Sequence, residues 1–441
     1  MLYHLLKIVS IPVHRLFYDK IIIEGQENIP KKGPVIFAPN HQNALMDVMS
    51  IITTSKRSPY FLTRADLFEN PLYKAFLTLF RARPIYRITD GKESLNKNGD
   101  VFEHIIDLLE KKKSIAIFPE ATQNDKRQLL GFRKGFVRIA LQAEEKNNFK
   151  LGVTIVPVGI YYTNYTRFRS ALHISYGKPI VVSNIKSLYK ANPQKAYNVL
   201  KSDTAKRIIP MIINIKNKEY YNTFDRITEI YPEHLAPKLG FKTLTKKNLF
   251  LSKQKVVYLL NLLTENKLEE FLSLRLSVDD YYNELSRLKY TNEDINNYQK
   301  LPSTIVHSLL LFVTSPLFII GFIQNIIPYQ IPRSYSNKIE DTQFKSSYKF
   351  ALGTITFSLF YILQLVGLSF ILDPIWLGLY AITLPLMGIA AYKWFSSIKN
   401  LFTSLKLKKA NKNKSGEIYD LIQQRESIID NLDKLTETYF Q

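Results

Sequence analysis

The feature that most limits how this chain can fold lies near its C-terminal end. Residues 305–327 are almost free of charge, interrupted by the Ser315-Pro316 pair. Residues 351–372 and 375–394 are two more apolar stretches, joined by Asp373-Pro374. Each approaches the roughly 20 residues that a helix needs to cross a bilayer. A helix of that length in a soluble core shows a polar face, and these show none. Residues 301–396 are therefore read as membrane-embedded, and the rest of the chain has to fold beside a lipid layer.

Charge gives this segment an orientation. Residues 330–350 carry Arg333, Lys338, Lys345 and Lys349, and the region after the third stretch carries Lys399, Lys406, Lys408, Lys409, Lys412 and Lys414. The Asp373-Pro374 turn has no positive residue. The positive-inside rule places both basic segments in the cytoplasm and the turn outside, which makes the second and third stretches a helical hairpin. The first stretch, with Pro316 at its centre, is predicted to be bent, re-entrant or surface-lying. Residues 397–441 are read as a basic cytoplasmic tail. Ile418, Leu421, Ile428, Ile429, Leu432 and Leu435 fit an amphipathic helix within it that pairs with a partner, folds back on the chain or merely solvates the end.

Composition narrows the chemistry. A length of 441 residues is enough for two or more folding units. Sixty Lys and Arg against 38 Asp and Glu leave a surplus of 22 positive charges, which suggests anionic partners. No Walker loop, zinc spacing or aromatic RNA-binding motif accompanies it, so no nucleic acid is expected and membrane and phosphate contacts account for the charge. The absence of cysteine excludes disulfides, thiolate metal sites and cysteine nucleophiles. With no cleavable leader apparent, the expected place is a cytoplasmic membrane, the site on its inner face. The histidines other than His41 (His4, His14, His104, His173, His234 and His307) show no ligand spacing, so no metal is expected.

Residues 20–183 read as an α/β layered unit. Apolar, β-branched runs at 21–23, 35–37, 114–118, 153–156 and 172–175 alternate with helical patches such as 100–112, where Val101, Ile105, Leu108 and Leu109 share a face. Such alternation implies a largely buried sheet layered with helices. Residues 184–300 become lysine- and asparagine-rich with no strand signal, a helical extension. Residues 1–19 mix apolar positions with Lys7, His14 and Arg15. A helix in the lipid interface fits this pattern, and so does a helix packed on the core.

The segment richest in chemistry runs from Gly33 to Asp47. A buried strand ends at Ala38-Pro39, followed by Asn40 and His41, and a helix is predicted to begin near Asn43, which can cap it. His41 thus falls at a strand end near a helix N-terminus, where a neutral imidazole is favoured and a phosphate is accommodated. Neutral imidazole is what a general base near pH 7 must be. Asp47 lies six residues on, an offset of about 240° in a straight helix. The two side chains meet only if His41 is still in the entering loop and turns back over the first helical turn.

Arg81, Arg83 and Arg87 surround an extended Pro84-Ile85-Tyr86 stretch; they are either a phosphate clamp or a solvated basic edge. Phe118-Pro119-Glu120-Ala121-Thr122 puts a carboxylate at another strand end. Arg133-Lys134 is a basic pair in a loop or helix start, and Pro157 interrupts a buried strand at Val156-Pro157-Val158.

In this order, Asn40-His41 with Asp47, Pro84-Ile85-Tyr86-Arg87, Phe118-Pro119-Glu120 and Val156-Pro157-Val158 resemble the four blocks of the PlsC-like glycerolipid acyltransferases, the glycerol-3-phosphate and 1-acylglycerol-3-phosphate acyltransferases. The resemblance covers residues 20–178. It departs in two places. Five residues, Gln42 to Met46, separate His from Asp where four are usual, which is similar to the fungal-type glycerol-3-phosphate acyltransferase branch. Alanine at 121 stands where the family commonly has glycine, a strained choice if the backbone needs positive φ.

The resemblance implies an acyltransferase domain over 20–183. In it His41, held by Asp47, is the catalytic base, and Glu120 positions the acceptor hydroxyl or the arginine. Arg87 and Arg83 bind the acceptor phosphate, and Arg133 or Lys134 meets phosphate on the acceptor or on CoA. Asn40, Pro119, Thr122 and Pro157 complete the motifs. The co-substrate is acyl-CoA or acyl-carrier protein (acyl-ACP), the other partners are membrane lipids, and no further cofactor is implied. Another lipid acceptor, a lysophospholipid or an acylated amino acid, is one alternative; a non-catalytic membrane lipid-binding protein is the other. These motifs leave oligomeric state and acyl-chain length open.

Overall fold

Every β-branched run singled out above becomes a strand of one eight-stranded sheet. The computed structural model describes residues 2–86, 98–298 and 304–437. The strands are β1 (Lys20–Glu24), β2 (Val35–Pro39), β3 (Tyr60–Arg64), β4 (Ala82–Ile85), β5 (Ser114–Ala116), β6 (Thr154–Tyr162), β7 (Ala171–Tyr176) and β8 (Ile180–Val181). Their order is β1-β7-β6-β2-β5-β3-β4, with β8 beside β6. All pairings are parallel except β6 with β7 and β6 with β8. The α/β layered expectation holds, and β3, β4 and β8 are added to the strands read from sequence.

All five residues of β2 are buried, which is why it reads as a continuous apolar run rather than an alternation. On one face Ile36, Ile115 and Ile155 pack with Ile105 and Leu109 of α4 (Asn98–Glu110) and with Phe136, Val137 and Ala140 of α5 (Gly135–Lys146). Each of these side chains larger than alanine contributes about 1.5–3 kcal/mol on burial. On the other face α2 (Ala44–Thr54) is tied down by Thr54 Oγ1 to the Tyr176 hydroxyl at 2.7 Å. In α1 (Leu2–Phe17), Lys7 Nζ donates to Ser55 O and Arg57 O, and buried His14 pairs with Thr53 Oγ1 at 3.0 Å. The opposite side of α1 leaves Leu5, Ile8, Val9 and Leu16 exposed. The remaining helix before β4 is α3 (Pro71–Leu79).

The chain divides into two units, Met1–Asn214 with Ile339–Ser347, and Ile215–Lys338 with Tyr348–Gln441. Residues 184–214, placed above in the helical extension, belong with the sheet. There α6 (Lys186–Ala191) is followed by α7 (Pro193–Ile208), which buries Ala196, Leu200, Thr204 and Ile208 at four-residue spacing. Lysines around this narrow stripe hide it from a sequence reading.

The second unit is helical. Its polar part comprises α8 (Tyr221–Ile230), α9 (Pro232–Lys238), α10 (Lys246–Asn266), α11 (Leu268–Leu288) and α12 (Asn292–Asn297). Three helices long and apolar enough to cross a membrane follow, α13 (Thr304–Asn337), α14 (Thr342–Leu368) and α15 (Pro374–Asn413). The first turns of α14 lie in the sheet unit and the remainder in the helical one. The last helix, α16 (Glu417–Thr436), folds back on the polar part. Arg425 donates to Asn292 Oδ1, Asn296 Oδ1 and Ile230 O, and Asp433 accepts the Tyr231 hydroxyl at 2.6 Å.

Of the bent, re-entrant or surface-lying forms expected for the first apolar stretch, a re-entrant break is not what forms, because α13 is one continuous helix of 34 residues. Each of its internal prolines removes an N–H and orphans the carbonyl four residues back. Pro316 frees Phe312 O, which accepts from Ser315 Oγ at 2.7 Å. Pro328 frees Gln324 O, which accepts from Gln364 Nε2 at 3.1 Å, and Pro332 frees Pro328 O, which accepts from Thr356 Oγ1 at 2.9 Å. With every freed carbonyl satisfied, the helix has no reason to break. Gly321 lets α13 approach α15 closely, since a Cβ there would lie 2.3 Å from Met387 O.

Candidate active site

Parallel strands β2 and β5 end on the same edge of the sheet, and the site forms in the loops that leave them. Asn40, 1% exposed, pins the end of β2 to β6. Its Nδ2 donates to Ile160 O at 3.0 Å, and its Oδ1 accepts from Ile160 N at 2.7 Å. The chain then turns through His41, Gln42 and Asn43 before α2 begins at Ala44. His41 is thus in the entering loop and reaches back. Its Nδ1 lies 2.8 Å from Asp47 Oδ2, the one arrangement in which the six-residue spacing brings the pair together.

Asp47 is fully buried and fully engaged. Oδ2 accepts the amides of Gln42 and Asn43, each at 2.8 Å, in addition to the imidazole; Oδ1 accepts the Tyr162 hydroxyl at 2.8 Å. The His41 ring stacks on Phe118 with centroids 4.0 Å apart. Its Nε2 makes no hydrogen bond with the described residues, and the side chain is 19% exposed. Nδ1 is spoken for, and Nε2 faces outward.

Glu120, 1% exposed, braces this loop. Oε1 accepts His41 N and Oε2 accepts Leu130 N, both at 2.8 Å. Burial pushes its carboxyl up to about 8, outweighing the two amide bonds, which pull it down; nearby Asp47 adds to the rise. Both oxygens are thereby committed to main-chain donors. Pro119 O accepts Arg133 N at 2.7 Å, closing the same loop, and Pro157 sits in β6 opposite Ala38 with its carbonyl accepting Gly177 N.

Two local expectations are corrected. Asn43 occupies the N-cap position of α2 without a side-chain cap; its Nδ2 donates instead to Tyr165 O at 3.2 Å. The helix N-terminus that seemed open to a phosphate is filled by protein groups. Ala44 N donates to Gln123 Oε1 at 3.0 Å, Leu45 N to Ser347 Oγ at 3.1 Å and Met46 N to Asn43 O.

Among the described residues, Arg83, Arg133 and Lys134 make no contact with His41 or Asp47. Arg83 lies on β4, three strands from β2 in the order β2-β5-β3-β4, so about 14 Å away. Its guanidinium sits over Tyr60 and donates to Ala82 O. Arg133 and Lys134 are exposed, Lys134 Nζ donating to Gln194 Oε1, and Thr122 is exposed as well. Arg87 lies outside the described residues.

Several residues went unrecognised in the sequence. Tyr162 continues the Val158-Ile160 alternation of β6, a signal a longer strand assignment would have caught. Gln42 joins two loops, its Nε2 donating to Lys126 O at 2.8 Å and its Oε1 accepting the Tyr165 hydroxyl at 3.0 Å. Buried Arg127 donates to the Tyr161 hydroxyl at 3.0 Å. Neither Gln42 nor Arg127 carried any spacing to betray it.

A histidine oriented by a buried aspartate, at the C-terminal edge of a mainly parallel sheet, defines a site built for general-base chemistry. Comparison with known proteins agrees on the class. Residues 20–161 match the family described as Acyltransferase. A 1-acyl-sn-glycerol-3-phosphate acyltransferase of Borreliella burgdorferi is 32% identical over 145 residues, which cover 33% of this chain and 52% of that protein. Glycerol-3-phosphate O-acyltransferase 2 of Saccharomyces cerevisiae is 28% identical over 191 residues, 41% of this chain and 24% of that one. The crystal structure of a 1-acyl-sn-glycerophosphate acyltransferase from Thermotoga maritima aligns with 45% of this chain and 79% of its own, at 20% identity and a TM-score of 0.32. The chain thus spans about half the length of the first relative and less of the second. Residues 20–161 are thus an acyltransferase domain, similar over that stretch to 1-acyl-sn-glycerol-3-phosphate and glycerol-3-phosphate acyltransferases.

Proposed function

We propose that this chain is a membrane-bound glycerolipid O-acyltransferase. It moves a fatty acyl group from acyl-CoA or acyl-ACP to a hydroxyl of glycerol 3-phosphate or lysophosphatidate. The observation that carries the reading is the 2.8 Å contact from His41 Nδ1 to Asp47 Oδ2, with Nε2 turned outward. Asp47 holds the proton on Nδ1, so the Nε2 lone pair faces the acceptor. Nε2 takes the hydroxyl proton as the acceptor oxygen attacks the thioester carbonyl. A C–O bond forms, the C–S bond breaks, and the imidazolium returns its proton to the departing sulfur. The thioester is already an activated acyl donor, so the reaction as proposed calls for no additional cofactor. Glu120 acts by fixing the His41 amide, and Arg83, Arg87, Arg133 and Lys134 are the proposed phosphate contacts.

The membrane assignment rests on the three apolar helices and the outward apolar face of α1, which we place in the lipid interface. The connector between α13 and α14 belongs to the same unit as the dyad, and Arg333, Lys338, Lys345 and Lys349 around it favour the cytoplasmic side. The active site is therefore assigned to the cytoplasmic face of the membrane. The test is acyl transfer by detergent-solubilised protein, offered both acceptors with both carriers. Transfer to glycerol 3-phosphate or lysophosphatidate is expected, and His41→Ala should lower it by about 10²–10⁴-fold. An undiminished His41→Ala enzyme overturns the base assignment; transfer confined to other lipids overturns the acceptor.

A further inference from the structure

The sheet unit contains a short piece of chain from far outside the family-matched region. Residues Ile339–Ser347, which connect α13 to α14, are part of it. Three hydroxyls in the first turns of α14 reach two loops around the dyad and the first turn of α2. Thr342 Oγ1 donates to Asp125 Oδ2 at 2.9 Å, Ser346 Oγ donates to Tyr165 O, and Ser347 Oγ accepts from Leu45 N at 3.1 Å. Ser346 is 1% exposed and Ser347 8%. A helix sets their spacing, with Thr342 and Ser346 four residues apart on one face and Ser347 beside them.

The loops they touch are already cross-linked to the catalytic turn. Tyr165 O also accepts Asn43 Nδ2, and the Tyr165 hydroxyl meets Gln42 Oε1. Gln42 and Asn43 are the residues whose amides hold Asp47 Oδ2. Leu45 N is an orphan amide in the first turn of α2, and α2 supplies Asp47. Its other early amides are taken by Gln123 Oε1 and Asn43 O.

We propose that Ser347 is a positioning residue for the His41–Asp47 dyad. From the connector between two apolar helices, it closes the N-terminus of α2 and so fixes the turn that carries the base. The role as a catalytic aid rests on the acyltransferase reading above; the capping itself does not. Loss of a side-chain cap of this kind shifts a local opening equilibrium by about fivefold.

The full-length protein in detergent tests it with three variants, Ser347→Ala, Ser347→Thr and Ser347→Val. Threonine keeps the oxygen, and valine matches threonine in shape without it, so this pair separates the hydroxyl from packing. Two readouts are taken, hydrogen exchange at the Leu45 amide and kcat with KM for each substrate. Alanine and valine should each raise Leu45 exchange about fivefold and lower kcat by a similar factor, with KM within twofold, while threonine restores both. Unchanged Leu45 exchange in the valine variant overturns the capping role. Raised exchange with unchanged kcat overturns the positioning role. Should the wild-type protein transfer no acyl group at all, the exchange measurement still decides the cap, and it is the acyltransferase reading that falls.

Discussion

Tyr162 donates its phenolic hydrogen to Asp47 Oδ1 at 2.8 Å, while the other carboxylate oxygen holds His41. Both groups are fully buried, so the bond is made in a medium where an unpaired carboxylate oxygen is costly. Tyr162 thus acts on the base through the aspartate. Tyr162→Phe should lower kcat about tenfold with little change in KM and destabilise the fold by about 1–3 kcal/mol. Steady-state kinetics and thermal melts on the same preparation check both. A change confined to KM would place Tyr162 at the substrate instead.

Glu120 gives stability a pH dependence of definite sign. Its carboxyl titrates near its ordinary value in the unfolded chain, and burial raises it to about 8 in the folded one. The folded state therefore binds the proton more tightly. The associated stability is fully present below the unfolded value, declines as pH rises from there, and is gone above about 8. The melting temperature should fall between pH 6 and pH 9. Glu120→Gln should flatten that slope. It should also lower stability at pH 6, because the amide group turns a donor toward His41 N or Leu130 N. An equal slope in the two proteins would show that another group is responsible.

How legible was this in the sequence? The buried strands were plain, because β2 and β6 are covered on both faces and read as apolar runs. The dyad was legible only as a condition: His41 and Asp47 meet if the helix starts after His41, and it starts at Ala44. What stayed hidden involves partners distant in sequence. Pro316 looked like the site of a bend, and the sequence shows only its own neighbour Ser315 as a compensating donor; Gln364 and Thr356, which serve the carbonyls freed by Pro328 and Pro332, come from another helix. Ser347 likewise meets Leu45 from 302 residues away, with no periodicity to announce it.

Ala121 was the one strained position visible from sequence, and it adopts φ 56° in the loop after Glu120. A left-handed backbone costs an L-residue about 1–2 kcal/mol, part of which glycine returns as conformational entropy on unfolding. Ala121→Gly should therefore stabilise the protein by about 0.5–1 kcal/mol, a rise of about 2 °C in melting temperature. Because the side chain is exposed, kcat should stay within twofold. A loss of stability would mean that the loop relaxes around alanine at no cost.

The absence of cysteine makes the membrane arrangement directly measurable, since any introduced thiol is unique. The segment Ile339–Ser347 lies in the catalytic unit, so Lys338→Cys, at the residue just before it, should react with a membrane-impermeant maleimide only from the cytoplasmic side. Asp373→Cys, in the turn between α14 and α15, should react only from the outer side, because α14 is 27 residues long and apolar enough to cross. Inside-out and right-side-out vesicles from the same cells separate the two faces. Labelling of both positions from one side would remove α14 as a span.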